Sequence, residues 1–287
     1  MRFIGYTSTP DPGFRNRRIG VVLGDSLADL ADVDAFYDDV EGFRRKAAKI
    51  GRGELSLADV FLAPPIPRDA KIICAAINYR KHGVESALPT PDFPNLFARW
   101  TSELNIHGGA IPVPTAEPDG LDWEGELAAI VGTTLTDTDA AAAMKGVFGY
   151  AVANDVTARA AQLQSATLST GQWALGKNPE RSASLGSLVV TDDELEVTDL
   201  LIETIVDGKT MQSGSTSEMV FSIGELLAFA SRHVSLRPGD VFMTGTPDGV
   251  GIGRNPKIFM NPGSAVTVRI SGIGELTNHI VDAKHRG

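Results

Sequence analysis

Short apolar runs broken by Gly, Pro and Asp dominate the chain. Near the start, RFIGYTS and RRIGVVLG read as strands, with Gly24-Asp25 turning the second into SLADL. Val33 to Ile50 is amphipathic and charged enough for a helix, and LSLADVFL follows Gly53. The cluster Ala63-Pro64-Pro65-Ile66-Pro67 can continue neither a helix nor a central strand. It predicts a boundary between a small N-terminal unit, 1–66, and a larger domain, 67–287.

Beyond the boundary the apolar runs lengthen. KIICAAI is continuous, the pattern of a strand buried on both faces. LAAIVG, GVFGYAVAN, GSLVVT, LLIETIVDGK, DVFMTGT and AVTVRISGIG follow as strands. Helical stretches are fewer: Asp137 to Lys145, Val156 to Gln164 and Ser222 to Val234, the last opened by a Ser222/Glu225 capping box. This is a strand-rich α+β chain without a regular βαβ repeat.

Charge narrows the partners. The 287 residues carry a formal net charge of −10, which argues against a general nucleic-acid binder or a polybasic membrane arm. A locally positive site for an anionic small molecule is still compatible with that balance. A single cysteine leaves no intrachain disulfide and suits a reducing compartment. The N-terminus meets Pro and Arg before any long apolar run, and no window approaches the ~20 apolar residues of a membrane span. The expectation is a soluble, cytoplasmic protein.

Three clusters carry candidate chemistry. In Asp122-Trp123-Glu124-Gly125-Glu126 the two glutamates lie two apart on a predicted strand and so share a face. Asp155 ends the strand GVFGYAVAN. Three oxygen donors without His or Cys suit Mg²⁺, Mn²⁺ or Ca²⁺ better than zinc, although spacing alone reads more simply as edge carboxylates and a helix-capping Asp. Second, His82 and Glu85 meet if the segment after KIICAAI forms one helical turn, and a carboxylate beside an imidazole suits a general base. Pro89, Pro91 and Pro94 keep that turn short, like a lid; a surface pair is the plainer alternative. Third, Arg159 and Lys177 could supply positive charge to an anionic substrate. No P-loop, dinucleotide fingerprint or Gly-x-Ser-x-Gly elbow is present. Cys74, within KIICAAI, reads as core, and His107, His233, His279 and His285 have no partner that the sequence names.

Taken in order, KIICAAINYRKHGVE, PNLFARWTSEL, DWEGELAAIVG, GYAVANDVTARAAQ, WALGK, RPGDVFMTGTPDGVG and ISGIGELTN resemble the fumarylacetoacetate hydrolase (FAH) family, from about Lys71 to Val281, and especially its acylpyruvate hydrolase-like members. The resemblance implies a mixed β-sandwich roll behind a small N-terminal α/β domain, usually in a homodimer. It implies Glu124, Glu126 and Asp155 as ligands of a divalent metal, Mg²⁺ or Mn²⁺ with Ca²⁺ also compatible. His82 and Glu85 would activate water, and Lys177 would join them in catalysis. Arg159, Gln162 and Thr246 would contact the substrate.

The implied activity is hydrolysis of a C–C bond in a 1,3-diketo acid, an acylpyruvate or fumarylpyruvate-like compound, through a metal-bound enolate. Related activities are oxaloacetate decarboxylation, isomerisation and sugar-acid dehydration; a metal-containing binding protein is the rival from another class. Arg99 stands where the family commonly has Lys, Ala160 replaces a usual Asp, and 178–187 depart from the family pattern. These differences bear on substrate identity more than on the metal.

Overall fold

A computed structural model describes residues 1–10, 15–87, 89–164 and 171–283, which leaves His285 outside. The larger of two mixed sheets runs, edge to edge, through β4 (Leu55–Ser56), β3 (Ser26–Asp32), β2 (Arg18–Leu23), β1 (Arg2–Thr7), β13 (Leu188–Thr191), β11 (Val147–Asp155), β10 (Gly125–Val131), β16 (Val241–Met243), β6 (Ile72–Ala76) and β7 (Asn95–Arg99). Short strands β5 (Phe61–Leu62), β8 (Leu104–Asn105) and β12 (Ala183–Leu185) pair off this path. The smaller sheet is β15 (Lys209–Ser215), β14 (Leu201–Val206), β17 (Ala265–Ile270), β18 (Gly274–Asp282) and β9 (Ala110–Val113). The fold is strand-rich α+β, as the apolar pattern predicts.

β10 and β11 form the centre of the molecule, and both are buried along their whole length. Period-2 alternation sends Leu127, Ala129, Tyr150 and Val152 toward the smaller sheet, where they meet Ile202, Val268 and Ile270. The opposite face carries Ala128, Ile130, Ala151 and Ala153 into a core with Phe3, Phe36 and Phe148. Those three rings pack with centroids 5.3–5.5 Å apart. The N-terminal strands are thus an extension of the larger sheet: β1 pairs antiparallel with β13, Arg2 opposite Val190. Pro64 to Pro67 are buried, and the Pro65 carbonyl accepts from Tyr37 Oη at 2.8 Å.

The helix expected from Val33 to Ile50 is two, α1 (Val33–Asp38) and α2 (Val40–Ala47). Asp39 breaks it: its non-helical backbone (φ −146°, ψ 63°) stops α1, and its carboxylate accepts from Gly42 N at 2.9 Å to cap α2. A helix α3 (Arg80–Glu85) forms after β6, where the spacing of His82 and Glu85 requires one. Helix α4 (Ala140–Lys145) starts behind its cap Asp139. The helix expected from Val156 contracts to α5 (Arg159–Leu163), because Thr157 instead bridges to Asp122 in extended conformation. Helix α6 (Trp173–Gly176) precedes Lys177, and α7 (Ile223–Ser231) carries the complete capping box of Ser222 and Glu225. Among the described residues no helix is long and apolar enough to cross a membrane.

Candidate active site

The β10–β11 ladder places the acidic cluster. Gly125 lies opposite Asn154, so Glu124 meets Asp155 across the pair, where Asp155 N donates to Glu124 O at 2.8 Å. Residues directly opposite in an antiparallel pair share a face, and so do residues two apart. Glu124, Glu126 and Asp155 therefore converge, with one oxygen from each within 4.8 Å of the others. Gly125, between the two glutamates, points to the other sheet, where an added Cβ would stand 2.3 Å from Thr204 Oγ1. All three acids are buried.

Three cations hold this acidity in place. Lys177 Nζ donates to Glu124 Oε2 at 2.7 Å, Asp155 Oδ2 at 2.6 Å and Thr157 Oγ1 at 2.8 Å. Arg159 reaches Asp122 at 2.8 Å, Gln162 Oε1 at 2.8 Å and Glu124 Oε1. Arg99, wholly buried, binds the other Asp155 oxygen and Ser182 Oγ. Glu126 has no ion pair among the described residues and accepts one backbone bond, from Gly245 N at 2.8 Å. Gly245 is in the left-handed region (φ 95°), and a Cβ there would press Asn78 Cβ at 2.8 Å.

Burial raises the Glu126 carboxyl well above its ordinary range, and the Asp155 and Glu124 charges raise it further. Burial also works against an ionised Glu124, but Lys177 and Arg159 outweigh it and hold that carboxyl well below the usual range. Burial opposes the Lys177 charge in the same way, yet Asp155 and Glu124 keep its ammonium above the ordinary value. Three convergent buried carboxylates, one of them without a cationic partner, are a hard all-oxygen donor set. They fit a divalent cation of the Mg²⁺ or Mn²⁺ type.

His82 and Glu85 face the same space from the other side. On α3 they lie three residues apart, with His82 Nδ1 3.4 Å from Glu85 Oε2. Glu85 is fixed in turn by Gly249 N, at 3.1 and 3.2 Å from its two oxygens. Asn78 anchors the start of this segment, donating to Thr244 O at 2.8 Å and to Phe221 O at 3.0 Å. One cavity of about 520 Å³ is lined by His82, Glu85, Glu124, Glu126, Lys177 and Thr246, together with Arg159 and Gln162.

A sequence profile of the fumarylacetoacetate (FAA) hydrolase C-terminal family matches residues 71–281. The chain belongs to this family. It is 33% identical, over 98% of its length and 90% of the relative's, to the mitochondrial oxaloacetate tautomerase fahd2 of Xenopus laevis. A crystal structure described as an HpcE protein from Mycobacterium smegmatis superposes with a TM-score of 0.89 at 30% identity, covering 99% of this chain and all of that one. Maleylpyruvate hydrolase from Sphingobium sp. SYK-6, in complex with manganese(II) and pyruvate, gives a TM-score of 0.79 at 27% identity, covering 98% and 99% of the two chains. The family is thus one of enzymes, with hydrolases and tautomerases among them.

Within this FAA hydrolase-family fold every candidate from the sequence borders one cavity except Asp155, which lies beneath it beside Lys177. Thr246 spends its hydroxyl internally, donating to Gly125 O at 2.8 Å and accepting from Gln212 Nε2 at 2.8 Å. Ala160 and Ala161 present their backbone N–H groups to Glu117, at 2.8 and 2.7 Å, which caps α5. Asn178, in the departing segment, accepts from Trp100 N at 2.7 Å. His107 has a partner after all: its Nδ1 accepts from Thr277 N at 3.2 Å. Cys74 is buried, and burial pushes its thiol well up. Sequence reasoning missed Asp122 as a hub, which accepts from Arg159 and from the N–H groups of Gly251 and Ile252 at 2.6 and 3.1 Å. It noted Arg99 only as a departure, without a contact to Asp155.

Proposed function

We propose that the protein is a divalent-metal-dependent hydrolase that cleaves a C–C bond in an acylpyruvate-type 1,3-diketo acid. The observation that carries this reading is the His82–Glu85 pair, oriented by Gly249 and opening on the cavity that holds Glu124, Glu126 and Lys177. Glu124, Glu126 and Asp155 would hold the ion, which when bound supplies Lewis acidity toward the two carbonyl oxygens. The manganese in the maleylpyruvate hydrolase complex supports Mg²⁺ or Mn²⁺ in that role.

His82, with its other nitrogen turned to Glu85, takes a proton from water as the oxygen adds to the distal carbonyl carbon. The oxyanion that forms needs donors. Arg159 commits three of its five N–H groups to Asp122, Gln162 and Glu124 and keeps two for it. Lys177, with all three N–H groups engaged, must turn one away from a carboxylate or Thr157 to join them. The C–C bond then breaks, its electron pair stays on the pyruvate fragment, and the His82 imidazolium returns the proton to that carbon.

A panel of acylpyruvates, oxaloacetate and 3-deoxy-2-keto acids, each with and without Mg²⁺ or Mn²⁺, tests the reading. Cation-dependent release of pyruvate from an acylpyruvate is expected; no release from any acylpyruvate overturns it. Identity of 33% along almost the whole chain to an oxaloacetate tautomerase favours a second reading. There His82 would relay a proton between carbon and oxygen of oxaloacetate, seen as enol–keto interconversion without pyruvate release.

A further inference from the structure

Residues 244–254, Thr-Gly-Thr-Pro-Asp-Gly-Val-Gly-Ile-Gly-Arg, follow β16 and lie in neither helix nor strand. No ladder fixes such a segment, so its course depends on the bonds its own backbone finds. Three of its N–H groups end on carboxylates of the site: Gly245 N on Glu126 at 2.8 Å, Gly249 N on Glu85 at 3.1 Å and Gly251 N on Asp122 at 2.6 Å. The loop therefore reaches both walls of the cavity.

Its two ends are held differently. Near the floor, Thr244 N and Oγ1 both donate to Leu127 O, at 3.0 and 2.9 Å, and Thr246 Oγ1 donates to Gly125 O. β10 pins that end. Farther on, Gly249 is in the left-handed region (φ 100°), and an added Cβ would stand 2.2 Å from Met211 O. Gly249 O accepts from two donors, Trp123 Nε1 and Arg254 Nη2, each at 3.1 Å. The same Nη2 donates to Met211 O at 2.6 Å, and the guanidinium lies over the Trp123 ring, 5.9 Å from its centroid. Arg254 thus clips Gly249 to β15, the strand that carries Met211. Among the described residues Arg254 has no ion pair, and its Nε is buried without a partner. A guanidinium placed so is a poor device for stability alone.

What the clip holds is Glu85. Besides the bond from Gly249 N, the Glu85 side chain packs against Gly253, where an added Cβ would stand 2.3 Å from Glu85 Cδ. Gly249 and Gly253 both lie within five residues of Arg254, and between them they bound the carboxylate that faces His82 Nδ1 at 3.4 Å. We propose that Arg254 is a positioning residue: by tying Gly249 O to Met211 O it holds the loop against Glu85, which in turn orients His82 toward the cavity. The proposal rests on the reading of His82 as the group that moves the proton.

The test uses the Mn²⁺-loaded full-length protein and an acylpyruvate. R254M, which keeps a cover over Trp123, should lower kcat by about 10- to 100-fold with KM within about twofold, the pattern of a reacting group misplaced from a distance. Mn²⁺ affinity should not change, because β10 pins the floor end of the loop. R254K, whose ammonium can still donate to a carbonyl, should stay within about fivefold of the wild type. In an E85A background R254M should cost less than about twofold more, since the carboxylate through which Arg254 acts is gone. An undiminished loss in that background, or a wild-type kcat in R254M, overturns the proposal. If the wild type turns over no acylpyruvate, the hydrolase reading fails, and amide hydrogen exchange decides on Arg254. Faster exchange in R254M at Gly249 and across α3 then upholds the proposal, and unchanged exchange overturns it.

Discussion

At the floor of the cavity Glu124 and Glu126, with Asp155 just beneath them, come from β10 with the residue before it and from β11, hydrogen-bonded to each other at the centre of the larger sheet. On the opposite wall, His82 and Glu85 come from a six-residue helix that runs on toward Pro89, Pro91 and Pro94. Glu124 and Asp155 each have two short cationic partners, and Glu126 has one backbone donor. The His82–Glu85 contact is a single one of 3.4 Å, steadied by Gly249. On the proposed reading, the groups that would hold a metal ion are placed by a sheet ladder, which cannot shift one residue without turning its side chains over. The group proposed to pick up and return a proton sits on a short helix anchored through Asn78. The difference between the two walls is one between holding and handing over.

Breaking the floor should have the largest effect. Glu126→Gln removes the one carboxylate without an ion pair, so the fold keeps its charge network. It should lower cation-dependent turnover by on the order of 10³, as loss of several kcal/mol of transition-state stabilisation requires. Mn²⁺ titration followed by electron paramagnetic resonance should show weakened binding in the same variant; retained affinity would remove Glu126 from the ligand set. Breaking the other wall should separate binding from chemistry. His82→Ala should reduce turnover by about 10²–10⁴ with Mn²⁺ affinity unchanged. Turnover at the wild-type rate would end the assignment of His82 as the base.

Arg99 sharpens the comparison from beneath the floor. Its guanidinium holds one oxygen of Asp155 while Lys177 takes the other at 2.6 Å, so only the Lys177 side can be released to an ion. Arg99→Met should weaken Mn²⁺ binding by about 10–100-fold, the usual cost of removing a group that orients a ligand. Arg99→Lys should recover part of that loss because charge remains while the fork to Ser182 does not. Equal affinities for all three proteins, measured by calorimetry, would show that Asp155 needs no such support.

The two walls also differ in how legible they are in sequence. The glutamates two apart, and an aspartate ending an apolar strand, can be read from period-2 alternation, and the His82–Glu85 contact from helical spacing. Arg99 and Asp122 could not be placed that way. Arg99 reaches Asp155 from a strand 56 residues earlier, and Asp122 gathers Arg159 from 37 residues away and Gly251 from 129. Their partners are set by which strands lie side by side, and no local pattern encodes that order. The same limit hid the junction of β1 with β13. Local rules failed in the opposite sense at Asp39, where an amphipathic run long enough for one helix contains its own cap and breaks in two. Capping chemistry overrode periodicity there.

The smallest effect lies far from both walls, at the start of α7. Ser222 Oγ accepts from Glu225 N at 3.4 Å, while Glu225 Oε2 accepts from Ser222 N at 2.7 Å. Bonds from the Ser222 side chain and backbone lower the Glu225 pKa. A carboxyl with a lowered folded-state pKa adds stability above its unfolded value of ~4.3, and that contribution fades as pH falls through the folded value. Ser222→Ala should therefore cost about 1 kcal/mol near neutral pH, about 2 °C in Tm, with kcat/KM within about twofold of wild type. The gap between the two melting curves should narrow as the buffer is taken below pH ~4, because protonation of Glu225 weakens in the wild type the hydroxyl–carboxylate bond that the variant already lacks. A gap that stayed constant across that range would assign the cap to the serine–backbone bond alone. If activity instead fell with stability, α7, whose preceding Phe221 is tied to Asn78 by two hydrogen bonds, would be part of what steadies the catalytic wall.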